Sequence, residues 1–98
     1  MFETKALDLT SGWQKVNVDG TTSLTISPRR SGSTVQAIEL AISAEELAAD
    51  AQIDDFVTIC GDGKAATITG LTTEHVYLRG IGNIANKVGI IRDYTPEA

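Results

Sequence analysis

The chain has one cysteine, one histidine and five aromatic residues. Each shortage removes a class of chemistry. A lone Cys60 cannot close an internal disulfide, so packing or neighbours must hold the fold, as suits a reducing compartment. A lone His75 rules out a histidine-based metal cluster, and no run of acids has the D-x-[DN]-x-[DN]-G spacing of a calcium loop. The few aromatics argue against a platform of stacked rings for sugars or single-stranded nucleic acid. No stretch approaches the ~20 apolar residues of a membrane span. The start, MFETKALDLT, has neither the basic nor the apolar region of a secretory signal, and the expectation is a chain not exported by that route.

At 98 residues the expectation is a single domain, residues 1–98, near the lower end of the size range in which one hydrophobic core suffices. An apolar fraction of 42% with 21% charged residues is the composition of a globular chain, not a disordered one. The net charge of −5 is unevenly placed. Between Ser43 and Gly63 lie Glu45, Glu46, Asp50, Asp54, Asp55 and Asp62 with no base, while the rest of the chain carries eight bases and seven acids. Arg29 and Arg30 form a small basic spot elsewhere. Two patches of opposite sign suit contacts between copies better than nucleic-acid binding, which wants a broad basic face.

What is abundant is β-branched. Ten Ile, six Val and twelve Thr favour strands, because their stiff rotamers fit a pleated surface. Strands are predicted over residues 5–10, 14–18, 22–27, 34–42, 56–60, 65–69, 75–79 and 87–92, each bounded by turn residues. Ile38, Leu40 and Ile42 share one face of the longest, with Glu39 opposite. Val16 with Val18, Leu24 with Ile26, Val57 with Ile59 and Val76 with Leu78 repeat the period of two. This two-sided pattern implies antiparallel sheets with one face on a common core.

The fold class expected is therefore all-β, an antiparallel β-sandwich or small barrel of about seven to eight strands. Asp19-Gly20 and Asp62-Gly63 are the pairs that permit positive φ in short hairpin loops. One short helix is expected, inside an acidic connection over residues 43–55: Ser43 can cap it and Glu46, three positions on, completes a capping box.

Gly80-Ile81-Gly82-Asn83-Ile84-Ala85 satisfies the dinucleotide-binding pattern G-x-G-x-x-G/A. That chemistry needs a helix after the glycines and an acid about 20 residues on. Only thirteen residues follow Ala85, and Val88-Gly89-Ile90-Ile91 among them reads as a strand. The stretch reads instead as the turn of a last hairpin, with Asn83 at an exposed tip. A Ser-His-Asp or Cys-His couple would have to use His75, at a turn edge. Cys60 ends an apolar strand and reads as a small core or edge residue. Trp13 reads as an anchor at one end of the core. Glu45-Glu46 and Asp54-Asp55 are adjacent in sequence and so point apart, which does not make an acid–base couple.

The layout as a whole has a Trp at the start of an early strand (Gly12-Trp13-Gln14-Lys15-Val16), a Ser/Thr strand followed by a basic Ser/Gly turn (22–33), and a long strand (35–42). Thr-Ile-Thr-Gly-Leu-Thr (67–72), Val76-Tyr77-Leu78-Arg79-Gly80 as an edge phrase before the last hairpin, and a final strand complete it. Over about residues 12 to 92 it resembles the small β-sandwich structural proteins of tailed bacteriophage virions. The acidic segment Ser43 to Asp55 departs from the shortest members of that pattern.

The resemblance implies a non-enzymatic part of a phage particle, located in the virion. It would be a capsid decoration or cement protein that self-associates, a trimer first, and binds the major capsid protein. No cofactor, metal, nucleic acid, membrane or small-molecule substrate is implied. The contacts expected are Arg29 and Arg30 against a carboxylate-rich neighbour, Glu45 and Glu46 against a basic one, and Asn83 at a subunit contact. The alternatives are a tail or fibre module, or a binding module for a host-surface glycan or protein. A glycan site would expose Trp13, Tyr77 or Tyr94, and an enzyme would need a pocket around His75.

Overall fold

Eight strands form in chain order: β1 (Phe2–Leu9), β2 (Gln14–Val16), β3 (Thr21–Pro28), β4 (Ala37–Ser43), β5 (Val57–Cys60), β6 (Ala66–Thr69), β7 (His75–Gly80) and β8 (Asn86–Tyr94). The structure, a computed structural model, describes residues 1–28, 37–60, 64–80 and 86–95, with Cys60 and Asn86 described by their backbone only. The strands build two antiparallel sheets of four, in the orders β1-β8-β3-β6 and β2-β7-β4-β5. Packed face to face they make the β-sandwich that the alternation of apolar and polar residues predicts.

The core is the sum of the inward positions. Leu24 and Ile26 of β3 and Val88 and Ile90 of β8 come from one sheet; Ile38 and Leu40 of β4 and Val76 and Leu78 of β7 come from the other. Leu24, Ile26, Ile38, Val76, Leu78 and Val88 are fully buried. Burying each such side chain is worth roughly 1.5–3 kcal/mol against the entropy of ordering the chain. The alternation runs past the core at one margin: Ile42 and Val57 have the inward parity yet are 44% and 57% exposed.

Connectivity departs from the expectation of hairpins. β2 and β3, joined through Asp19-Gly20, lie in different sheets, as do β7 and β8. Gly20 does take φ +66°, and the Thr21 N–H donates to the Val18 carbonyl at 3.0 Å, but the turn carries the chain from one sheet to the other. Phe2–Leu9 pairs with the distant Asn86–Tyr94, so the first and last strands lie side by side. β7, read as an edge phrase, is an interior strand between β2 and β4. Its burial on the core face at Val76, Leu78 and Gly80, and at Tyr77 on the other, is what an interior position allows. Residues 81–85 lie outside the described residues, as do 61–63. From Asn86, directly after the glycine motif, the chain is strand and not helix.

The short helix is not formed. β4 continues as strand through Ser43, and no helix occurs in the connection 44–56. Ser43 Oγ does accept the Glu45 N–H at 3.1 Å, so the capping residue acts locally. Two turns of helix are marginal in isolation, and here the backbone of the segment is engaged by the sheet beneath it.

Candidate functional site

The connection 44–56 lies as a strap across the outer face of the β2-β7-β4-β5 sheet. That face is set by register: Glu39 of β4 stands opposite Arg79 of β7, Ala41 opposite Tyr77, and Lys15 of β2 opposite Tyr77 from the other side. Trp13, just before β2, completes it. Trp13, Ala41 and Tyr77 are buried there as a second apolar cluster, and Leu47, Ala51, Ile53 and Phe56 of the strap pack onto them.

Hydrogen bonds fasten the strap at three points. The Trp13 backbone N–H donates to the Ala49 carbonyl at 2.9 Å, and the indole Nε1 donates to the Ala51 carbonyl at 3.2 Å. The Leu47 N–H donates to Tyr77 Oη at 3.0 Å. The backbone groups of the strap that a helix would use internally are taken instead by the Trp13 backbone and ring and by the Tyr77 hydroxyl. Gly12 lets the approach be close: a Cβ there would meet the Ala49 carbonyl oxygen at 3.2 Å.

A charged pair sits inside this apolar cover. Arg79 Nε donates to Glu39 Oε1 at 2.8 Å and Nη2 reaches the same oxygen at 2.8 Å. The guanidinium carbon lies 4.2 Å from the Trp13 ring centroid and 5.5 Å from that of Phe56, whose ring meets Trp13 edge to face. Partial burial makes the pair geometrically demanding, and the ring faces stabilise the cation in place of water.

The predicted contact residues are placed unequally. Glu45 and Glu46 are exposed on the strap, as are Asp50, Asp54 and Asp55. Glu46 is engaged within the chain: Lys15 Nζ lies 3.2 Å from its Oε1. Arg29, Arg30 and Asn83 lie outside the described residues. Cys60 ends β5, an edge strand, with its backbone paired to Ala37.

Trp13 is an anchor, as expected, but of the strap rather than of the core between the sheets. At 4% exposure it has no open ring face, and Tyr77 is equally covered. Tyr94 is half-buried beneath the Arg92 guanidinium, 4.4 Å from the ring centroid. The sequence pattern did not single out the Arg79–Glu39–Trp13 group. Its signal was present as an acid and a base on the outward positions of two otherwise apolar strands.

The surface at His75 is not flat. An open groove of about 440 Å³ runs there between Lys15, Asp19, Thr72, Glu74 and His75 at one end of the sandwich. The Thr72 N–H and hydroxyl both donate to Glu74 Oε2, at 2.8 and 3.0 Å. The backbone N–H of Thr72, then that of Glu74 itself, then the Thr72 hydroxyl hold the Glu74 carboxyl below its ordinary value. Hydrogen bonds of this kind favour the ionised form of the carboxyl. His75 meets Tyr77 ring to ring at 6.4 Å, and among the described residues the hydroxyl side chains lining the groove are those of Thr72 and Thr73. Among the described residues no three His, Cys, Asp or Glu side chains come together as a metal site.

The fold and this surface define a two-sheet all-β sandwich with a clamped acidic strap. No protein-family model, no curated protein and no solved structure matches the chain.

Proposed function

We propose that the protein is a non-enzymatic structural component of a phage particle, a capsid decoration or cement protein that associates with itself and with the larger shell protein. The observation that carries the reading is the strap. Its aromatic anchors are buried and consumed in holding it, while Glu45, Asp50, Asp54 and Asp55 along it are exposed. An acidic surface fixed to a rigid sheet is suited to docking on a basic partner, because little order has to be gained on binding. Of the rings a glycan platform would use, Trp13 and Tyr77 are covered and Tyr94 is half-buried beneath the Arg92 guanidinium.

Purified virions encoded with this chain, analysed by mass spectrometry, are the test. The protein present in many copies, and released when Asp54 and Asp55 are both changed to Lys, supports the reading. Its absence from particles, or its retention at full occupancy by the charge-reversed variant, overturns the reading or its strap component respectively.

A further inference from the structure

Four strands end the two sheets: β1 and β6 in one, β2 and β5 in the other. β2, β5 and β6 are three or four residues long, too short to template much pairing. β1 has eight residues and contains neither proline nor glycine.

The Tyr94 N–H donates to the Met1 carbonyl, so the odd-numbered residues of β1 turn their backbone groups to β8. By the alternation of a strand, Phe2, Thr4, Ala6 and Asp8 present theirs to the open side. The same residues carry the outward side chains, among them Phe2 at 74% exposure, while Glu3, Lys5, Leu7 and Leu9 share the core face.

We infer that β1 pairs antiparallel with β1 of a second copy about a two-fold axis at Thr4, joining two four-stranded sheets into one continuous sheet. The register is set by the side chains. With Thr4 opposite Thr4, Glu3 of each copy, whose Oε1 also accepts from Arg92 Nε at 3.0 Å, stands opposite Lys5 of the other, in the closely spaced positions of an antiparallel ladder. Phe2 then stands opposite Ala6 of the second copy. The β8 neighbour of Ala6 is Gly89, so the ring meets a seat made of one methyl group and the bare backbone of a glycine. Ile91, 46% exposed, flanks it as the β8 neighbour of Thr4.

The competing registers fail on the same criteria. Centring on Lys5 sets Lys5 against Lys5 and Phe2 against Asp8, and centring on Glu3 sets Glu3 against Glu3. Centring on Ala6 leaves Glu3 against Leu9 and Lys5 against Leu7. A slip of one residue turns the core face outward. A charge on the core face of an edge strand ordinarily discourages pairing. Lys5 discourages every register except the one that meets it with Glu3, so it selects the partner's position.

The inference deepens the self-association part of the proposed function and does not depend on a virion. In a Cys60→Ser background, Thr4→Cys should form a disulfide-linked dimer on mild oxidation, whereas Asp8→Cys, which overhangs the pairing, should not. Independently, and with the native cysteine kept, Lys5→Glu should raise the dimer dissociation constant about tenfold or more in sedimentation while the circular dichroism spectrum is unchanged. A protein that is oligomeric, a trimer included, yet cross-links no better at Thr4 than at Asp8, or whose association Lys5→Glu leaves unchanged, overturns the pairing and leaves self-association standing. A protein monomeric at every concentration overturns both.

Discussion

Arg79 holds its guanidinium 4.2 Å from the Trp13 ring centroid while both Nε and Nη2 bond Glu39 Oε1. The two partners come from neighbouring strands, and the ring comes from the approach to a third. One side chain thus connects β4, β7 and the residue that fastens the strap. The planar cation does this because it can stack and bond at once, which an ammonium cannot.

Arg79→Lys should therefore lower stability by about 1 kcal/mol although the charge is kept, and Arg79→Ala by about 2 kcal/mol, since it leaves Glu39 partly covered without its counter-charge. Urea unfolding is the measurement. The midpoint should fall with an unchanged slope.

Trp13 is the single tryptophan, so its fluorescence reports on the strap alone. Emission from the native protein should be blue-shifted and poorly quenched by iodide, as for an indole 4% exposed. Trp13→Phe removes the bond to the Ala51 carbonyl and should cost about 1 kcal/mol; Trp13→Ala should cost about 3 kcal/mol or more. In the alanine variant limited proteolysis should cut within residues 44–56 before anywhere else in the sandwich.

Tyr77→Phe keeps the ring and removes only the oxygen that accepts the Leu47 N–H. A loss of about 1 kcal/mol is expected, with faster amide hydrogen exchange at Leu47 as the specific sign.

Glu74 is held below its ordinary value first by the Thr72 N–H, with the Glu74 N–H and the Thr72 hydroxyl adding to it. A carboxyl lowered in the folded state contributes stability above its unfolded value and loses it as the pH falls through the folded one, so the contribution is present at neutral pH and disappears in acid. Thr72→Ala removes the hydroxyl and keeps the N–H. An NMR titration of Glu74 in that variant should show its value moved up, but only part of the way to the ordinary one.

Gly20 and Gly70 both have positive φ, at +66° and +76°. An added Cβ at Gly20 would lie 2.9 Å from the Thr95 carbonyl oxygen, whereas at Gly70 it would meet nothing within 4 Å. Gly70→Ala should cost about 1 kcal/mol, the backbone conformation alone, and Gly20→Ala should cost clearly more. Parallel thermal melts compare the two.

The strands were legible because burial on one face leaves a period of two in the sequence. All eight appear, within a few residues of their predicted ends. Ser43 and Glu46 looked like a helix start because capping chemistry is local, and the Ser43 Oγ bond to the Glu45 N–H does form. The helix fails because Trp13 and Tyr77 claim the backbone at Leu47, Ala49 and Ala51, and no local pattern records that claim.

Asp19-Gly20 likewise determined a turn with positive φ, but whether a turn closes a hairpin depends on which sheet the next strand joins. By itself the sequence settled the all-β class, the inward parity in β2, β3, β4, β5 and β7 and the acidity of one segment, since each is written in neighbouring residues. Strand partners, the interior place of β7, and the meeting of Glu39, Arg79 and Trp13 were decided only by the tertiary structure. They depend on contacts between residues far apart in the chain, which form when two faces must be buried together.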